Sequence, residues 1–174
     1  MKTLVFNEKK LNDNDIDEIV TRVKAFVIND SEEVLYANAD GCLQLPGGHR
    51  ENNEEYEETL IRELEEEVGL SLNKEEIKFS FFEIKHYIEN YKDSGKNRIA
   101  NIIYYLVKTN KEPDLSKIHL TEHERMHHFK VNKIKFNDFG AFVEDFIVST
   151  GDEYFRLIAN ETLLAYGELK KITK

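Results

Sequence analysis

Three carboxylates, Glu63, Glu66 and Glu67, stand close together in the stretch GHRENNEEYEETLIRELEEEVGL, Gly48 to Leu70. On a helix that turns about 100° per residue they share one arc of about 100°, beside the arc of Leu60, Ile61, Leu64 and Val68. They therefore line the rim of the face to be buried, while Glu58 and Glu65 point to the side that water can solvate. Carboxylates crowded in this way repel one another unless a cation neutralises them. Oxygen-only ligands favour a hard cation, and Mg²⁺ or Mn²⁺ keeps enough water to bridge a polyphosphate. Such an ion stabilises charge on phosphoryl oxygens and acidifies water as a nucleophile. The turn Pro46-Gly47-Gly48, just upstream, can approach the same face and offer a backbone carbonyl.

Several elements must position this helix. Tyr56, Leu60, Leu64 and Val68 recur every fourth residue, which predicts a helix over Tyr56 to Val68 ended by Gly69 as its C-terminal glycine. Before it, Met1 to Phe6 reads as a short edge strand and Asn7 to Glu18 as loop or a short helix. Arg22 to Ile28 and Val34 to Ala37 read as two paired strands around Asn29-Asp30, and Leu43 to Leu45 leads into the Pro-Gly-Gly turn. After it, Ile77 to Ile88 and Ile99 to Val107 are rich in aromatic and β-branched residues and form a long hairpin. Met126 to Val131 adds a further strand, and Phe139 to Val148 and Tyr154 to Leu169 are closing helices split at Thr150-Gly151.

The chain of 174 residues fits one domain spanning 1–174, with 40% hydrophobic and 33% charged residues as in a soluble globule. Its net charge of -10 disfavours a nucleic-acid polymer as partner, although a bound divalent ion can invert the local field for a small phosphorylated ligand. The single Cys42 and an N-terminus without an apolar signal core fit a reducing cytoplasm. No apolar run is long enough to span a bilayer, so no membrane partner is expected. Oligomeric state is not set by any of these features.

The segment resembles the Nudix box, G-x5-E-x7-R-E-U-x-E-E-x-G-U with U bulky and aliphatic. Gly48, Glu54, Arg62, Glu63, Leu64, Glu66, Glu67, Gly69 and Leu70 fill every fixed position. The flanking strands and closing helix also look like that family's fold, so the resemblance implies an α/β/α sandwich with a mixed β-sheet. It implies a MutT-like pyrophosphohydrolase that cuts a phosphoanhydride in a nucleoside diphosphate linked to another group, or in a nucleoside triphosphate. By the same resemblance Glu63, Glu66 and Glu67 bind Mg²⁺ or Mn²⁺, Gly47 adds its carbonyl, and Glu63 is the leading base. Glu54 pairs with Arg62 to fix the loop onto the helix, with Gly48 and Gly69 supporting the site. Two departures concern other positions: Asn53 stands where many members have glycine, and Leu43 where an aromatic often precedes the turn. Asn tolerates a left-handed turn best among non-glycine residues, so the loop should persist.

Other residues are weaker candidates. An acidic helical run alone is usually a solvated face, and a Gly-Gly pair alone an ordinary turn; the complete box is what reverses those readings. His119, His123, His127 and His128 have spacings that a metal site can use, but surface or half-buried histidines are the favoured reading. Glu122 and Glu124 fall where some family members place an extra base or ligand, although ordinary loop carboxylates are the favoured reading. Tyr87 falls near where diadenosine-polyphosphate hydrolases tend to carry a tyrosine, and is a candidate substrate contact that core packing explains equally well. Two alternatives to the enzyme stay open: a catalytically silent module that binds a nucleotide for regulation, and a Ca²⁺-buffering or purely structural acidic helix. The second leaves the glycines and Arg62 without a purpose.

Overall fold

The structure, a computed structural model of the chain, describes residues 1–118 and 130–173. In chain order its strands and α-helices are β1 (Lys2–Phe6), β2 (Glu18–Ile28), β3 (Glu33–Ala39), β4 (Cys42–Gln44), α1 (Tyr56–Val68), β5 (Ile77–Ile88), β6 (Arg98–Lys108), β7 (Lys130–Lys135), α2 (Phe136–Ser149) and α3 (Glu153–Ile172). The candidate residues His119, Glu122, His123, Glu124, His127 and His128, and the start of the strand expected from Met126, lie outside the described residues.

The sheet is mixed. β2 runs parallel to β6 from Glu18 opposite Arg98 to Ile28 opposite Lys108. β5 is antiparallel to β6, as the expected hairpin requires, and β1 lies along β5 in parallel at the sheet's edge. The expected pairing of β2 with β3 is present only at Ile28 and Val34, because β3 uses its two edges for β4 and β7. The second edge of β2 is instead taken by the segment around the Pro-Gly-Gly turn. Ala25 N–H donates to Pro46 O (3.0 Å), Val23 N–H to Gly48 O (2.9 Å), and Arg50 N–H to Thr21 O (2.9 Å).

Alternation along β2 divides two cores. Val23, Ala25 and Val27 join Ile103, Tyr105 and Val107 of β6 against Leu60, Leu64 and Val68 of α1. Phe26 faces the other way, with Phe82, Ile84, Tyr104 and Leu106, against Phe139 and Val143 of α2 and Ala159, Ala165, Tyr166 and Leu169 of α3. The arrangement is the expected α/β/α sandwich. Burying each of the three aliphatic anchors of α1 stabilises by roughly 1.5–3 kcal/mol, which fixes the rotation of that helix and with it the direction of its glutamates.

Local signals set the helix ends. The Glu55 N–H donates to Glu58 Oε2 (3.1 Å) at the start of α1, and the helix stops where Gly69 turns left-handed (φ 67). There Gly69 N–H bonds Glu65 O and Leu70 N–H bonds Leu64 O, both at 3.0 Å. α3 is capped by Asp152, whose Oδ1 accepts from the N–H groups of Tyr154 (2.8 Å) and Phe155 (3.0 Å). α2 begins at Phe136, one turn before the expected Phe139, and α3 extends past Leu169 to Ile172. Among the described residues no helix is long and apolar enough to cross a membrane.

A Cβ at position 69 would lie 2.0 Å from Asp114 O. Gly69→Ala therefore combines the left-handed penalty with displacement of that backbone, and should cost about 2 kcal/mol or more. The melting temperature should fall by about 4–8 °C. A variant that melts with the wild type in a circular-dichroism scan would show that this stop is not required.

Candidate active site

The Pro-Gly-Gly turn is held against β2 so closely that only glycine fits at its centre. Gly47 has φ 123, and a Cβ there would meet Val23 O at 2.3 Å. A Cβ on Gly48 would fall 2.2 Å from Glu63 Oε2. The turn is thereby pressed between a strand backbone and the carboxylate edge of α1. Glu67, 8% exposed, completes the junction by accepting the Gly47 N–H on Oε2 at 2.7 Å.

Arg62 organises the acidic cluster. Its Nε and Nη2 donate to Glu54 Oε1 (2.7 Å) and Oε2 (3.0 Å), the two-point grip expected between them. Nη2 also donates to His49 O (3.0 Å), and Nη1 to both Glu63 Oε1 (2.9 Å) and Glu66 Oε2 (3.0 Å). Glu54 receives in addition the Thr59 hydroxyl (2.8 Å) and the Glu51 N–H (3.1 Å). Asn53, beside it, does adopt the left-handed conformation (φ 70) that the loop needs. The Arg62 hydrogen bonds hold the Glu54 carboxyl down to about 2, while burial pushes that of Glu63 up against the opposing charges of Arg62 and Lys24.

These groups open onto a cleft of about 570 Å³. One wall is Gly47, Gly48, His49 and the α1 side chains Arg62, Glu63, Glu66 and Glu67; the floor is Arg22, Lys24, Ile102 and Tyr104; the far wall is Tyr154, Ile158, Glu161 and Thr162 of α3. A second hollow of about 330 Å³ continues from it, sharing Arg22, Ile102, Tyr154, Ile158 and Glu161. At this junction Glu161 Oε1 and His86 Nε2 are 2.7 Å apart, tying α3 to β5.

The structure thus brings Gly47, Gly48, Arg62, Glu63, Glu66 and Glu67 to one cleft, with Glu54 gripped by Arg62 and Gly69 at the helix end. Tyr87 is not brought there. His86 and Ile88 line the second hollow, so the residue between them faces the other side of β5, and the Tyr87 hydroxyl donates to Asp13 Oδ1 at 2.7 Å. Its expected place as a substrate contact has no support in this geometry. Sequence reasoning missed Arg22, Lys24, His49 and Glu161. Arg22 and Lys24 were signalled by charges alternating with apolar residues in Arg22 to Ile28, and Glu161 by a glutamate among the buried residues of a closing helix; His49, in the loop after Gly48, carried no such pattern.

The donor set suits a hard divalent ion: three carboxylates and the Gly47 carbonyl, all oxygen. The ammonium of Lys24 already donates to that carbonyl, so the position accepts a cation. The carboxylates are turned to Arg62 and to the Gly47 N–H rather than to a common point, and among the described residues no three His, Cys, Asp or Glu side chains stand ready around one ion.

The Glu54 carboxyl lies below its ordinary 4.5 in the folded protein, so its contribution to stability is complete above about pH 4.5 and is lost as the pH falls toward about 2. Arg62→Lys keeps the charge but loses the fork. The variant should melt below the wild type at pH 6, and the gap should close as the pH falls toward about 2. A gap independent of pH would dissociate Arg62 from this linkage.

The family model described as the NUDIX domain matches residues 19–147. No curated protein matches the sequence. Among solved structures the chain is similar to a MutT from a study of the Aliivibrio salmonicida and Vibrio cholerae enzymes, at 20% identity over 75% of this chain and 98% of that one, with a TM-score of 0.49. It is similar to the MutT NUDIX hydrolase of Burkholderia pseudomallei at 22% identity over 68% and 84%, with a TM-score of 0.49. A third is the dihydroneopterin triphosphate pyrophosphohydrolase of E. coli, at 12% identity over 83% and 95%, with a TM-score of 0.48. With nearly three quarters of its length matched by the family model, the chain belongs to the Nudix hydrolase family.

Proposed function

We propose that the chain hydrolyses a phosphoanhydride bond in a nucleoside diphosphate linked to another group, or in a nucleoside triphosphate, using Mg²⁺ or Mn²⁺. The observation that carries this reading is the meeting of Glu63, Glu66 and Glu67 with the Gly47 carbonyl in one cleft large enough for such a substrate. Glu63, Glu66, Glu67 and Gly47 O would hold the ion, which supplies neutralisation of phosphoryl charge and a more acidic water.

The remaining work falls to the chain itself. Glu63, part-buried at the edge of the cleft, is the carboxylate that would take the proton of an attacking water. Glu54 and Arg62 keep the loop in register with α1, and the Gly47 N–H bond to Glu67 fixes the turn relative to the helix. Arg22 and Lys24 on the floor offset part of the acidic field that a polyphosphate must enter. The second hollow, with its aliphatic lining and Tyr91 and Tyr154, offers room for the group beyond the phosphates.

Attack at phosphorus has a direct signature. Turnover in H₂¹⁸O, screened over nucleoside triphosphates, dinucleoside polyphosphates, ADP-ribose and nucleotide sugars, should place the label in a phosphate-containing product by mass spectrometry. Label found only in a sugar or base product contradicts the reading, and a protein that binds nucleotides but turns over none of the panel would be a silent binding module.

Glu67→Gln should cut turnover by about 100-fold or more while the protein stays folded. Gln retains an oxygen for the Gly47 N–H and similar helix propensity, but removes one negative charge from the cluster. In chelator the variant should melt at the wild-type temperature or above, and it should gain less from added Mn²⁺. Near-wild-type turnover with undiminished Mn²⁺ stabilisation would remove Glu67 from the site.

A further inference from the structure

Lys24 sits at the point where strand, turn and acidic helix meet. The β2 backbone on either side of it bonds Pro46 O through Ala25 N–H and Gly48 O through Val23 N–H, so the carbonyl between these two, Gly47 O, is left out of the strand's ladder. The Lys24 ammonium donates to that carbonyl from its own strand. Its charge also reaches Glu63, where it favours the ionised carboxylate.

The neighbouring cations are committed differently. Arg62 bridges Glu63 and Glu66 and grips Glu54. Arg22 Nε donates to His49 Nε2 at 2.9 Å, an imidazole that burial first and then the nearby cations keep in its neutral form. The hydrogen-bond anchor of Lys24 is likewise uncharged, but it is the backbone carbonyl proposed as a metal ligand. A lysine is a compact charge on a flexible stem, able to move within a cleft when that anchor is taken.

One carbonyl cannot serve an ammonium and a divalent ion together, since like charges a few ångströms apart repel strongly in a partly buried site. We propose that Lys24 is an exchangeable counter-cation: its ammonium holds Gly47 O in the absence of a divalent ion, is displaced when one binds, and then turns to the phosphate charge of the substrate. It is a positioning residue that opposes metal binding to the free protein and favours binding of the phosphorylated ligand to the metal-loaded one. By linkage, the two ligands then bind with positive cooperativity that depends on this side chain. The inference rests on the reading of Gly47 O as a metal ligand.

The test compares Lys24→Met, which keeps the stem and removes the charge, with Lys24→Arg, which keeps the charge. Mn²⁺ affinity is measured without substrate from the electron paramagnetic resonance signal of the free ion. Affinity for a hydrolysis-resistant α,β-methylene nucleoside diphosphate is measured by calorimetry at saturating Mn²⁺, with a melting scan in chelator to confirm folding. Lys24→Met should bind Mn²⁺ about 5-fold more tightly or better and the analogue about 5-fold more weakly or worse, with Lys24→Arg close to the wild type in both. Unchanged Mn²⁺ affinity, or changes of both affinities in the same direction, overturns the proposal. Both measurements are of binding, so a chain that proved unable to hydrolyse any anhydride would defeat the proposed function without altering the sign of either result.

Discussion

The contact on which the site depends is between two backbones, that of β2 and that of the Pro46–Gly48 turn. Val23 O stands where a side chain at position 47 would be, and hydrogen bonds from Val23 and Ala25 close the turn onto the strand. Because β2 is paired with β6 on its other edge and packed by both helical layers, the turn inherits the rigidity of the centre of the domain. It then presents its N–H to Glu67 and its carbonyl to Lys24, and so relates a strand on one side to a helix on the other.

Rotation of α1 is the second constraint. Leu60, Leu64 and Val68 bury completely against β2 and β6, which leaves Glu67 at the core boundary, Glu63 part-buried beside it and Glu66 further out. The burial that places Glu63 also raises its proton affinity in the metal-free protein, against the opposing charges of Arg62 and Lys24. Arg62 works against the cost of gathering these carboxylates, and its second hand on Glu54 extends that order to the loop before the helix.

Local information made much of this legible. The periodicity of α1 gave the bounds Tyr56–Val68, Gly69 marked its end, and the spacing of residues from Gly48 to Leu70 singled out the acidic cluster. The Glu54–Arg62 pair was legible only through resemblance to a known box, since a spacing of eight residues across a loop has no fixed geometry. Pairing of β2 with β6 joins residues about eighty positions apart, which no local pattern encodes. Lys24 and Arg22 alternate visibly with apolar residues, but alternation does not reveal that their face looks into a cleft rather than water. Tyr87 illustrates the reverse: the two irregularities in β5 between Ile77 and Phe82 cancel, so plain alternation puts it on the face opposite His86 and Ile88, but which face of β5 looks into the hollow is set by packing that no local pattern encodes.

Three carboxylates and one backbone carbonyl, now satisfied by Arg62, Lys24 and a peptide N–H, are proposed as the seat of a divalent ion. Anomalous diffraction from crystals grown with Mn²⁺ tests that assignment most directly. The expected result is an ion within about 2.0–2.5 Å of Gly47 O and of carboxylate oxygens from Glu63, Glu66 or Glu67, with the Lys24 ammonium moved off the carbonyl. Ordered Mn²⁺ found only elsewhere on the surface, with Lys24 still on Gly47 O and Arg62 still spanning Glu63 and Glu66, would contradict it.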